Sequence, residues 1–406
     1  MKIVKNYLTQ PIKAAEARMM VLLVLFIALL GFVSMDIYFP SLPAIAHYFT
    51  ITQGASQLTI TLYLCGFGFS QLIYGPCADY FGRRPILLIG FFIYLFGSLL
   101  LVGANTIDLL LTARLIQGLG AGAGASLCRV IVRDKYAGDK MAQIASYVTI
   151  GIGFATSVAP ALGGLIQDYI GFKGNFVVML IFGLITTLLV TFFLPETHPS
   201  VYQPAAHPLN CIAIYKKLLK HSTFIRYTLC SGLSLAALLT YAIINPFLLE
   251  NNLGLSATYY GLITLVIASG ELLGAYINGR YVLRIGREKM LQLGLIFLLL
   301  SGCAFILETL VGFFNIWSVA LPSFFITAAI GITIPNATAS AFSSIKDSIG
   351  AAGALYGFFQ IATTMLITYL IASLHAQTQN VLGAIIIAIA LLSLFFRPKS
   401  SGIENE

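Results

Sequence analysis

The sequence predicts an all-α integral membrane protein: twelve transmembrane helices in two pseudo-symmetric six-helix halves. Three observations carry that prediction. First, 58% of the 406 residues are hydrophobic, only 9% are charged, and mean hydropathy is +0.91, whereas about a quarter of a soluble globule is charged. Second, twelve apolar stretches are long enough to cross a hydrocarbon core of about 30 Å. Third, Gly75, Gly82 and Arg83 recur as Gly279, Gly286 and Arg287, each 204 positions later and each just past the second span of its half.

In chain order the spans centre on 19–46, 56–77, 86–104, 108–132, 140–168 and 174–194, then on 222–249, 257–280, 289–310, 314–338, 350–374 and 379–396. A polar stretch between the sixth and seventh divides the chain. The expected organisation is a tail 1–18, a bundle 19–194, a linker 195–221, a second bundle 222–397 and a tail 398–406. Lys and Arg near span ends are retained on the cytoplasmic side. They cluster on alternate connections, for example Arg83 and Arg84, Arg129 and Arg133, Lys216 and Lys217, and Arg284 and Arg287, while the opposite connections hold Lys173 alone. Both termini are therefore expected in the cytoplasm. The formal net charge of +8 becomes an orientation signal, and a nucleic-acid partner is not expected.

The first span carries Asp36 within Ser34-Met35-Asp36-Ile37-Tyr38-Phe39-Pro40. A carboxylate at such depth costs roughly 2.5–3.5 kcal/mol on insertion scales, which points to proton carriage, a cationic partner or a substrate contact. With about 1.5 Å rise per residue, Asp36 lies roughly 22 Å across the core from Val21, and Arg114 of the fourth span falls at a similar depth. Two readings stay open: a coupled pair that takes up and releases a proton, or a static strut between helices. Glu271, in the eighth span, is the other intramembrane acid. A second proton site, a contact for a cationic substrate, or a partner for a basic side chain near Arg280 are all compatible with it.

The connection after the second span reads Gly75-Pro76-Cys77-Ala78-Asp79-Tyr80-Phe81-Gly82-Arg83-Arg84-Pro85. Its glycines permit a tight turn, Asp79 suits a helix N-terminus or a basic partner, and Arg83 and Arg84 are expected to face the inner leaflet. In the fourth span, Arg114 to Gly124 places glycines at every second position from Gly118. No soluble βαβ unit can exist there, so close helix packing, not dinucleotide binding, explains them. The fifth span holds Ala159-Pro160-Ala161-Leu162-Gly163-Gly164. Proline bends a helix and paired glycines allow close contact.

These elements resemble the signatures of the major facilitator superfamily over nearly the whole chain. Cys77 and Tyr80 depart from the usual Leu and Arg of its best-known motif, and Ala159 replaces the usual Gly of its antiporter motif. The Asp36 run, Tyr241 with Asn245-Pro246-Phe247, Pro335-Asn336-Ala337 and Gly353 to Gln360 are similar to the Bcr/CflA group of drug:proton antiporters. That resemblance implies the major facilitator fold, a monomer in the lipid bilayer of a bacterial inner membrane, and proton-coupled export of small apolar or amphipathic compounds by alternating access. It implies protons as coupling ion, with no other cofactor. Asp36 and Arg114 become proton-coupling candidates, and Glu271 joins them on its place within a span alone, since the group does not regularly carry an acid there. Tyr38, Tyr63, Gln117, Tyr147, Tyr241, Asn245 and Gln360 become substrate-binding candidates. A dedicated exporter of an endogenous metabolite or siderophore, and a proton-coupled importer, share the same expectations of fold.

An enzyme is not expected, because clustered His, Cys or carboxylates facing one site are missing from the pattern. The five histidines, His47, His198, His207, His221 and His375, fall near loops or span ends without ligand spacing. The six cysteines show no C-x-x-C spacing, so neither a disulfide nor a metal site is expected. The first apolar stretch is too long for a secretory signal.

Overall fold

The computed structural model describes residues 14–198, 210–343, 345, 349–374 and 378–398. Twelve helices among them have the length and apolarity to cross a membrane. We number these spans 1 to 12: Arg18–Tyr48, Gln53–Phe81, Arg83–Val102, Ile107–Lys135, Gln143–Ile170 and Phe172–Phe193, then Ser222–Asn252, Ala257–Ile285, Arg287–Leu310, Ile316–Ser343, Gly350–Ser373 and Gln379–Phe396. Most run well past the minimum of about 20 residues. Most of the expected tails and the middle of the linker, 199–209, with Lys346, Lys399, His207 and His375, lie outside the described residues.

Connections are short where one residue reverses the chain. Gly82, Gly171 and Gly286 adopt φ of 101°, 88° and 90°, with ψ of 158°, 172° and 148°. Only glycine occupies that region without strain. Gly82 and Gly286 thus join spans 2–3 and 8–9 with one geometry, which makes the internal repeat visible in the backbone. Gly171 joins spans 5–6 the same way, a use the repeat does not announce.

Span 1 is not one continuous helix. An α-helix ends at Asp36, a 3-10 turn covers Phe39–Ser41, and a short helix runs Leu42–Tyr48. Pro40 cannot donate to the carbonyl of Asp36, the residue four before it, and Pro43 cannot donate to that of Phe39. The chain tightens instead: Tyr38 N–H donates to the Met35 carbonyl at 3.3 Å. The Ser34 carbonyl thereby loses its usual helical partner. The linker also contains a helix, Asn210–Leu219, that the polar composition did not foretell.

Within each half, small residues set the helix spacing. A Cβ on Gly118 would collide with the Tyr63 carbonyl, and one on Gly120 with the backbone of Gly90 and Tyr94. The alternating glycines of span 4 thus seat spans 2 and 3 at backbone contact. Between halves, span 2 packs on span 11 and span 5 on span 8. Spans 1, 7 and 10 are the most enclosed.

Candidate functional site

Arg114 is completely buried and makes no ion pair with any described residue. Its guanidinium lies between two aromatic faces, 4.2 Å from the Tyr38 ring centre and 4.4 Å from that of Tyr63. Such a desolvated cation–π contact is worth about 2 kcal/mol or more. Nη1 donates to Gln117 Oε1 at 2.7 Å and to the freed Ser34 carbonyl at 3.3 Å. Nε and Nη2 are without acceptors among the described residues.

The cradle is itself held in place. Tyr38 donates to Thr59 at 2.9 Å and Tyr63 to the Gly31 carbonyl at 2.6 Å. Gln117 Nε2 donates to Ser98 Oγ at 2.9 Å. Tyr38, Tyr63 and Gln117, expected to meet substrate, are therefore sealed inside the first half around Arg114.

Asp36 points elsewhere. It is 9% exposed and lines a cavity of about 60 Å³ between the halves, with Phe39, Thr156, Ser157, Pro160, Tyr241, Tyr260, Thr264 and Glu271. Asp36 has no hydrogen-bond or ion-pair partner among the described residues, and neither does Glu271, whose side chain is exposed. The expected Asp36–Arg114 pair is not formed, nor is a pair between Glu271 and a basic residue near Arg280. Equal depth did not mean contact, because Tyr38 and Tyr63 occupy the faces of Arg114. Glu271, placed nearer the basic end by residue counting, shares the chamber of Asp36 instead.

Of the remaining candidates, Tyr241 lines the cavity. Asn245 is buried and donates to Ser323 at 3.0 Å, and Gln360 donates to Ser231 at 2.9 Å. Both tie helices of the second half together. Tyr147 is 53% exposed and accepts from Gln143, away from the chamber.

Above the cavity, at the end remote from the arginine-rich connections, the halves meet closely. A Cβ on Gly164 would strike the Ala257 carbonyl, and one on Gly261 the backbone of Pro160 and Ala161, whereas one on Gly163 would strike the Ile37 carbonyl within the first half. Asp168 accepts the Thr258 N–H at 2.8 Å, at the N-terminus of span 8, where an anion is favoured. Gln57 donates to the Ile243 carbonyl at 3.3 Å and Thr61 to Thr368 at 3.1 Å. Pro160 and Gly164 therefore belong to an inter-half seam, while Gly163 seats span 5 against span 1. Asp168 fastens the same seam.

At the other end, Arg83 is buried rather than facing the membrane surface. It pairs with Asp79 and, through Nε, with Asp134 at 2.9 Å. Glu196 accepts the N–H groups of Arg83 and Arg84 at 2.9 and 3.2 Å, capping span 3. Arg84 also donates to the Thr191 carbonyl. Gly75 sits on the inter-half boundary, where an added Cβ would lie 3.6 Å from Ala354. In the second-half counterpart, Arg287 reaches, among the described residues, the Ala339 carbonyl at 3.4 Å, and Gly279 faces open space. Cys65, Cys77, Cys128, Cys230 and Cys303 are free thiols. No metal-binding cluster occurs among the described residues.

Comparison with known proteins agrees with this architecture. The chain is 28% identical over 377 residues to multidrug resistance protein D of Escherichia coli, covering 93% of this chain and 94% of the relative. It is 28% identical over 383 residues to a bicyclomycin resistance protein homolog of Haemophilus influenzae, covering 92% and 96%. In structure it resembles the xylose transporter XylE of E. coli in a partially occluded inward-open conformation, with a TM-score of 0.73, 13% identity, and coverage of 96% of this chain and 99% of that one. The fold and the family are those of membrane transporters, not enzymes. Residues 24–365 match the Major Facilitator Superfamily, and the chain belongs to that superfamily, among relatives of the Bcr/CflA multidrug-resistance type.

Proposed function

We propose that this transporter exports small amphipathic compounds from a bacterial cytoplasm in exchange for protons, by alternating access. One observation supports this above the others. Asp36 is nine-tenths buried, faces a cavity between the halves, and has no cationic partner among the described residues. A carboxylate held this way is readily made neutral by a proton and recharged by its loss. Relatives named for multidrug and bicyclomycin resistance support export of drug-like compounds.

In this reading the arginine-rich end is cytoplasmic, as are both termini, and the seam of Gly164, Gly261 and Asp168 closes the outer side. The described arrangement then corresponds to an inward-facing state. Loss of a proton from Asp36 to the cytoplasm accompanies substrate binding. After the halves rock, a proton from outside displaces the substrate. Arg114, locked under Tyr38 and Tyr63, holds span 1 against span 4 and supplies a fixed positive field. Protons alone serve as coupling ion, and the protein acts as a monomer in the bilayer.

The test is transport in everted membrane vesicles with an imposed pH gradient. Asp36→Asn should abolish gradient-driven accumulation while leaving the protein folded and inserted. Undiminished gradient-driven transport by that variant removes Asp36 from the coupling step.

A further inference from the structure

The chamber beneath the seam carries two carboxylates and no described basic side chain. Its remaining polar groups share one property. Thr156 and Ser157 donate to the Gly153 carbonyl at 3.1 and 2.7 Å. Thr264 donates to the Tyr260 carbonyl at 2.9 Å and Thr327 to the Ile267 carbonyl at 2.6 Å. The Tyr260 hydroxyl donates to the Ala242 carbonyl at 3.4 Å.

Each of these hydroxyl protons is directed at the backbone, so what the five groups turn to the chamber is oxygen lone pairs. Of the lining hydroxyls, only that of Tyr241 keeps its proton uncommitted among the described residues. Asp36 is unpartnered and nine-tenths buried, and Glu271 is unpartnered too. Arg114, the nearest buried cation in the first half, is committed to Tyr38, Tyr63, Gln117 and Ser34. The lining thus offers acceptors and negative charge, with aromatic surface from Phe39, Tyr241 and Tyr260 beside them. That combination selects a positively charged head group attached to an apolar body.

We propose that Asp36 and Glu271 form a binding site for the head group of a monovalent organic cation, and that Glu271 makes the transporter favour cationic over neutral amphipathic substrates. The proposal rests on the transport reading above and deepens it. About 60 Å³ accommodates a cationic head and not a whole drug-sized molecule, whose pockets run about 300–1,000 Å³. The apolar body therefore extends out of the chamber. One carboxylate comes from each half, so a bound cation bridges spans 1 and 8. Protons held on the carboxylates leave to solution as the cation enters, and their number is what the titration counts.

Binding to purified protein in nanodiscs tests this without reference to transport. The probes are 3-phenylpropylammonium and its neutral isostere 3-phenylpropanol, titrated calorimetrically in two buffers of different ionisation enthalpy to count protons released. Wild type should bind the ammonium more tightly than the alcohol and release protons as it does. Glu271→Gln should weaken the ammonium at least tenfold, lower the proton count, and leave the alcohol within twofold. Glu271→Asp, which restores the charge, should recover most of the ammonium affinity.

Absence of ammonium binding by wild type, an unchanged affinity in Glu271→Gln, or equal losses for both probes overturns the proposal. Failure of the export reading looks different. In that case the binding pattern holds, and neither compound is moved by a pH gradient in everted vesicles.

Discussion

At the scale of single residues, the informative contrast is between the two charges that counting along the helices placed at one depth. Residue rise gives height, and the period of 3.6 gives azimuth only for an unbroken helix. Span 1 breaks after Asp36, so its rotation past that point is not legible in the sequence. The break releases the Ser34 carbonyl toward Arg114 and swings Tyr38 over the guanidinium, while Asp36 turns to the chamber. Arg114 depends on planarity: both rings stack on it, and Gln117 meets a single nitrogen. Lysine keeps the charge and loses the stacking, so Arg114→Lys is not conservative here. We expect it to lower stability by about 2 kcal/mol, read as a reduced midpoint of thermal unfolding in detergent, while Tyr147→Phe at the exposed margin leaves the midpoint unchanged.

At the scale of elements, apolar length and turn glycines were legible because each has one dominant physical cause. A stretch with few charges and about 20 residues has no soluble alternative, and a glycine between two spans marks a reversal. What the pattern concealed was inequivalence between repeats. Gly75 abuts Ala354 across the boundary, whereas its counterpart Gly279 meets nothing within 4 Å. Gly286, by contrast, sits at φ 90°, where a side chain is strained by about 1–3 kcal/mol. Gly286→Ala should therefore destabilise by that amount. Gly279→Ala should be neutral or stabilising by up to about 1 kcal/mol, because alanine favours the helix and has room. Unfolding of the two variants in parallel decides the matter, and equal losses would contradict the geometry. The linker helix escaped notice because its ten residues, Asn210–Leu219, are too short and too polar to read as a span.

At the scale of the whole molecule, the two halves touch most intimately where backbone meets backbone, at Gly164 and Gly261, with Asp168 capping span 8 across the boundary. Contacts of this kind are all-or-none. A side chain at Gly164 cannot be accommodated by a rotamer change, since its Cβ would already overlap the Ala257 carbonyl. Gly164→Val should therefore open the seam without disturbing either bundle, whose internal packing lies elsewhere. Removing the Asp168 carboxylate takes away one charge-assisted bond and should shift the balance less, by about 1–2 kcal/mol. The readout is a cysteine introduced at Ser157, in the chamber wall, after the native cysteines are replaced. A membrane-impermeant maleimide added from the side opposite the arginine-rich connections should label it slowly in the parent, several-fold faster with Asp168→Ala, and fastest with Gly164→Val. Because the span count is even, the same reagent also reports topology: cysteines placed near either terminus should both resist it. Labelling of the chamber at equal rates in all three backgrounds would mean that this seam is not what separates the chamber from that side.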